Sequence, residues 1–227
     1  MLPALKKMKS LIDAGAIGDV HLIRASCAGD VLSDGTHAID SVRYLAGDVP
    51  VRWLLGQVYR DEPNPDQEPG VGFDARGGYR YGHPVETGAI ASWEFETGVR
   101  AELNCGQMML SGRWYQDYEV FGSKGRIWRL TDSQKPNLQI QDEQGGFRAV
   151  EHDQEEDPVQ ELCFTTFQDT LISGEAHPLA GTSALQDMEI VTAIYESARL
   201  GKRLKFPIDQ DCFPLELQLK EQPAWRA

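Results

Sequence analysis

The sequence predicts an α+β fold built around a mostly antiparallel sheet. Amphipathic helical segments cluster at the start and near the end of the chain, and a run of short strands fills the middle. The strands are separated by tight turns rather than helical crossovers, which excludes a doubly wound parallel sheet.

Taken in order, Pro3 suits a first helical turn, and Leu5, Met8, Leu11 and Ile12 recur at helical spacing up to a stop at Gly15. Asp19–Cys27 alternates as a strand. A second helix spans about Ser33 to Ala46, with Ser33 or Asp34 as cap and Gly47 as stop. Pro50–Tyr59 is strand-like, with Val51, Trp53 and Leu55 on one face. Residues 61–84 hold Pro63, Pro65, Pro69 and Pro84 and form a long loop.

Strands follow at Thr87–Glu96, Val99–Leu110, Tyr118–Phe121, Arg126–Thr131, Leu138–Gln141 and Phe147–Val150. Asp157-Pro158 opens a third helix, with Leu162, Phe167, Leu171 and Ile172 as its apolar stripe. A fourth starts near Thr182 and buries Leu185, Met188, Val191, Ile194, Tyr195 and Ala198. Arg203–Ile208 is a last strand, and the tail 209–227 has no clear pattern. The whole chain, 1–227, reads as one domain, with 1–18 as its leading helix and linker.

Composition narrows the function. Hydrophobic residues make up 41% and charged residues 25% of the 227, an ordinary globular balance. The net charge of −13 argues against nucleic acid and anionic membrane partners. No segment reaches the ~18 apolar residues of a membrane span, and Met1–Ile12 is too polar for a signal peptide. The cytoplasm is the expected compartment. Cys27, Cys105, Cys163 and Cys212 form no C-x-x-C and read as small buried apolar side chains. The acidic run Glu151–Asp157 reads as a solvated loop rather than a metal site.

No nucleotide cradle stands out. Gly70-Val-Gly72-Phe-Asp-Ala75 is the nearest match to a dinucleotide fingerprint, but it follows prolines and opens no helix. The segment Asp30–Asp48 is richer in chemistry. His37 falls in the first turn of the second helix, where the positive end of the helix dipole disfavours an imidazolium and leaves a proton acceptor. Asp40 shares its face and could orient the ring; Arg43, three further on, could neutralise Asp40. Spacing alone also allows a packing histidine beside a helix salt bridge, and favours it.

These residues resemble the Gfo/Idh/MocA oxidoreductases. Gly35, His37, Asp40, Arg43, Leu45 and Gly47 match a family pattern D-x-G-x-H-x-x-D-x-x-R-x-L-x-G, with Ser33 where an aspartate often stands. Leu11–Val20 is similar to the family's linker, Phe121-Gly-Ser-Lys-Gly125 to its sheet turn, and His177–Leu185, Glu189–Val191 and Ala198–Lys202 to its last helix. The resemblance implies the family's C-terminal domain, an open antiparallel sheet of the dihydrodipicolinate-reductase-like type with helices on one face. The partner half, a Rossmann unit with a glycine-rich loop and an E-K-P lysine, has no counterpart in these 227 residues.

By that resemblance the chain is the substrate half of an NAD- or NADP-dependent dehydrogenase of a sugar, cyclitol or polyol, and is inactive alone. His37 would exchange the hydroxyl proton. Ser33, Asp34, Asp40, Arg113 and Tyr115 would bind or orient substrate, with Trp114 at the rim and Tyr81 and His83 in a lid. No cofactor is expected to bind this chain tightly by itself. The open sheet face would make a homo-oligomer, with Ala89, Ala91, Trp93 and Phe95 as its apolar cover. The other reading is a non-catalytic sugar-binding or dimerisation module.

Overall fold

The computed structural model describes residues 3–60, 79–80, 83–108, 116–130, 135–152, 159–175, 177, 180–209 and 211–221. Helix α1 (Pro3–Asp13) leads to strand β1 (Val20–Cys27). A π-helical turn (Val31–Gly35) runs straight into α2 (Thr36–Ala46), which ends at Gly47. Then come β2 (Val51–Tyr59), the short pair β3 (Tyr79–Arg80) and β4 (His83–Pro84), β5 (Gly88–Phe95) and β6 (Arg100–Gly106). Strands β7 (Gln116–Gly122), β8 (Gly125–Arg129), β9 (Leu138–Asp142) and β10 (Phe147–Ala149) complete the run. Helices α3 (Val159–Ser173) and α4 (Gly181–Leu200), the edge strand β11 (Leu204–Lys205) and α5 (Pro214–Glu221) follow.

Nine strands form one sheet in the order β10-β9-β8-β7-β1-β6-β5-β2-β11. Every pairing in it is antiparallel except β1 with β6, which run parallel in the middle of the sheet. The expected α+β class and open, mostly antiparallel sheet are what the chain adopts.

Alternation decides which face is covered. Ile23, Ala25 and Cys27 of β1, Ala101, Leu103 and Cys105 of β6, and Ala89, Ala91, Trp93 and Phe95 of β5 are all buried. Fully burying a large apolar side chain stabilises by roughly 1.5–3 kcal/mol, so this face is where the fold gains its stability. Helix α4 lies directly on it at Gly56, where a Cβ would come within 2.7 Å of the Ile194 carbonyl oxygen. Ala91 pairs with Gly56 across β2 and β5, so it shares that helix-covered face. The expectation that Ala89, Ala91, Trp93 and Phe95 cover the open face is therefore corrected: they are core, and Ile90, Ser92 and Glu94 point the other way.

Four further expectations change. The register shifts between Val51 and Trp53, so β2 buries Val51, Leu54, Gly56 and Val58 and leaves Leu55 exposed. Leu185 and Met188 of α4 are exposed, and only Ile190–Ser197 of that helix is continuously buried except for half-exposed Thr192. The tail is not patternless, because Pro214–Glu221 is a helix whose Leu215 enters the core. Cys163 and Cys212 are exposed, while Cys27 and Cys105 are buried with their sulfurs 3.1 Å apart. The dinucleotide-like stretch 70–75 and Asp157-Pro158 lie outside the described residues.

Candidate functional site

The site grows out of the turn that launches α2. Asp30 is extended (φ −88°, ψ 163°) and caps the π-helical turn, accepting from the Ser33 backbone N–H at 2.8 Å and the Ser33 hydroxyl at 3.1 Å. Its carbonyl takes the amides of Asp34 and Gly35 at 3.2 and 2.9 Å, the wide closure that makes the turn a π-helix. The Val31 amide donates to the Glu86 carboxylate at 2.5 Å. Gly29 (φ +89°) lets the chain enter: a Cβ there would lie 2.0 Å from Asp34 Oδ2 and 2.5 Å from Arg80 Nη1.

Beneath the turn lies a buried cluster of charge. Arg80 Nη1 donates to Asp30 Oδ2 at 2.8 Å and to Asp34 Oδ2 at 2.5 Å, with all three side chains buried. Glu86 is fully buried beside them and accepts the Tyr195 hydroxyl at 2.8 Å. Burial and the neighbouring Asp30 charge push the Glu86 carboxyl up to about 7. Burial, then the Glu86 charge, drive the Tyr195 phenol well above its ordinary value.

This corrects two site expectations. Helical backbone begins at Val31, so the free N–H groups of the helix start are met by Asp30 and Glu86, and His37 lies beyond the first turn. The dipole effect falls off within that turn, so it does not act on His37. Asp34 does not face solvent; its carboxylate is committed to Arg80.

His37, Asp40 and Arg43 follow at three-residue intervals along α2 and step from its exposed side inward. The His37 side chain is exposed, Asp40 is half-buried and Arg43 is buried. Burial raises the Asp40 carboxyl above its ordinary range, and the Arg43 charge partly offsets this. Arg43 forms its ion pairs elsewhere, with Asp187 at 2.6 Å and Asp48 at 3.3 Å, and it also donates to the Gln186 side chain and to the Ser183 carbonyl at 3.0 Å. The arginine thus ties α2 to the start of α4. Arg43, expected to neutralise Asp40, acts on it only through its charge and takes Asp187 and Asp48 as its ion-pair partners.

Arg113, Trp114, Tyr115 and Tyr81 lie outside the described residues, and His83 is exposed on β4. A cleft of about 340 Å³ on the open sheet face is lined by Arg24, Ser26, Asn104 and Asp117 among others. Another of about 190 Å³ lies between α4 and the start of β2. Neither reaches His37. Among the described residues no cluster of side chains suits a metal ion, and no helix is long and apolar enough to cross a membrane. The helix start nearest His37 is capped by acids, which repel the phosphates that a bare helix N-terminus attracts.

Sequence patterns did not single out Arg80 or Glu86, and placed Tyr195 in the interior without its bond to Glu86. Asp30 left a trace there, as an aspartate three residues before a serine at a helix start. Glu86, flanked by Val85 and Thr87, left none.

A comparison with curated proteins gives no match. Solved structures share the fold. Levoglucosan dehydrogenase in complex with NADH superposes with a TM-score of 0.70 at 19% identity, covering 91% of this chain and 64% of that one. Aldose–aldose oxidoreductase from Caulobacter crescentus, complexed with glycerol, gives 0.72 at 17% identity, covering 90% and 61%. An Agrobacterium radiobacter oxidoreductase in complex with NAD+, L-tartaric acid and magnesium gives 0.66 at 17%, covering 90% and 62%. The chain thus spans about three fifths of the length of the structures it resembles, and at these identities the likeness establishes the fold. The family model of the GFO/IDH/MocA C-terminal domain matches residues 5–128, more than half of the chain, and the protein belongs to that family.

Proposed function

We propose that this chain is the substrate-side half of an NAD- or NADP-dependent oxidoreductase of a sugar, cyclitol or related polyol. The observation that carries the proposal is the exposed His37 imidazole one turn before half-buried Asp40, on a helix that buried Arg43 braces against α4. An imidazole open to solvent can meet a substrate hydroxyl and take or return its proton. Ser33 and Asp40 orient the polyol, joined by Arg113 and Tyr115, while Asp34 serves by fixing Arg80. The nicotinamide that exchanges the hydride would be held by a separate Rossmann domain. NADH- and glycerol-bound structures of the same fold support the reading.

Titration of the purified chain with NADH and NADPH, followed by nicotinamide fluorescence, tests the division of labour. No binding up to ~1 mM, the upper end of ordinary enzyme affinities, is expected; tight binding overturns it. In the assembled enzyme, His37→Asn lowers kcat about 10²–10⁴-fold with KM little changed, and full activity in that variant removes His37 from the chemistry.

One observation favours a second reading, a sugar-binding or dimerisation module. The sheet face away from the helices leaves Leu55 and Ile90 each 42% exposed, a surface on which copies of the chain could pair. A chain that dimerises and binds polyols but never oxidises them beside a nucleotide-binding domain would establish it.

A further inference from the structure

The last core-facing residues of β1 and β6 are both cysteine. Cys27 and Cys105 stand opposite each other in the parallel register, fully buried, with their sulfurs 3.1 Å apart. Neighbouring strands lie about 4.8 Å apart, so residues in register fall within the ~4.4–6.8 Å Cα separation that a disulfide spans. Both side chains leave the same face of the sheet. Their sulfurs need approach by only about 1 Å more to reach bonding distance.

The pair also sits where the two strands end. Strand β1 stops at Cys27, and β6 stops one residue beyond Cys105, at Gly106. Ala28, Gly29 and Gly106 are half-exposed, and Gln107 is exposed. Strand ends part more readily than strand centres. While they stay paired, the thiols are protected. The sulfur contact with Cys27, then burial, then the nearby Glu86 and Asp30 charges hold the Cys105 thiol well above its ordinary value, and only a thiolate is a good nucleophile.

We infer that Cys27 and Cys105 form an oxidation site, at which a hydroperoxide joins them into a cross-strand disulfide that locks the end of β1 to β6. With hydrogen peroxide, the Cys27 thiol loses its proton and its sulfur attacks one peroxide oxygen. The O–O bond breaks, leaving a sulfenic acid on Cys27, and the departing hydroxide takes up that proton as water. The Cys105 sulfur then displaces hydroxide from the sulfenic sulfur, and the Cys105 proton converts it to a second water. Two thiols lose two electrons in all, and one peroxide is reduced to two waters. A pair guarded in this way is a response to peroxide rather than a fixed staple, as suits a reducing compartment. The bond would hold the strand end that carries Gly29 and Asp30, the entrance to the turn before α2.

Peptide mapping without reductant provides the test, on the full chain carrying Cys163→Ser and Cys212→Ser and treated with hydrogen peroxide. The peptides bearing Cys27 and Cys105 should leave joined within one chain, part when dithiothreitol is added, and stay separate in a chain that also carries Cys27→Ser. The joined form should melt roughly 4–16 °C higher than the reduced form, because closing so long a loop restrains the unfolded chain. If serine at 163 or 212 spoils folding, the unsubstituted chain gives the same joined peptide in the same map. Thiols that stay free, that go separately to sulfinic acid, or that join only between chains overturn the inference. A joined form that melts no higher than the reduced one overturns the lock.

Discussion

Two regions of this protein invert the ordinary rule of burial, and they do so differently. Around the π-helical turn, Asp30, Asp34, Arg80 and Glu86 bring charge into the interior. On α3 and the start of α4, phenylalanine, leucine and isoleucine face outward. The interior charges find partners within the chain: Arg80 takes both aspartates, and Glu86 takes the Val31 amide and the Tyr195 hydroxyl. The outward apolar groups find no such cover among the described residues. A buried polar group must be satisfied where it lies, whereas an apolar surface can wait for its partner.

Substitutions should separate the two regions sharply. Arg80→Met leaves two aspartates facing each other in the interior, so urea unfolding should show a loss of about 3–5 kcal/mol. A loss below ~1 kcal/mol would mean that the cluster is not closed.

Glu86 gives the next largest effect and a pH signature. Its folded carboxyl titrates at about 7, above the ordinary 4.5, so the fold favours the protonated form. Its contribution is fully present below about pH 4.5 and is lost as pH rises through 7. The shift corresponds to about 3 kcal/mol. Glu86→Gln keeps the neutral form, so its stability should rise relative to the parent between pH 4.5 and 8. Parallel curves would remove Glu86 as a titrating group.

The smallest effect belongs to the apolar strip. Phe164→Ser with Ile172→Ser should change the stability of the isolated chain by no more than about 0.5 kcal/mol. A loss above ~2 kcal/mol would show α3 to be part of the chain's own core.

The same contrast explains what the sequence disclosed. Strand positions and the helix end at Gly47 were legible, because alternation and a left-handed glycine cap are local signals. The neighbourhood of His37 and Asp40 on α2 was legible for the same reason, as residues three apart lie close on a helix face. Periodicity identified α3's apolar stripe and the full length of α4's, but it cannot say which molecule covers them. Leu185 was therefore assigned to the interior although it is exposed. Arg80 meets Asp30 and Glu86 meets Val31 across 50 or more residues of chain, and no local pattern encodes such a meeting.

The parallel pairing of β1 with β6 bears on how the chain acquires this fold. Strand β1 is flanked by β6 and β7, and its residue Cys27 pairs with Cys105, 78 positions later. During synthesis the central strand of the sheet thus emerges long before either neighbour. Its Ile23, Ala25 and Cys27 must wait for most of the sheet to be made, with the helix α2 as their main early cover. Pairings this distant close slowly, because the entropy of a long loop is lost before any contact repays it. The middle of the sheet, the most protected part of the finished molecule, is therefore the part most dependent on late-made residues and most open to mispairing while they are awaited.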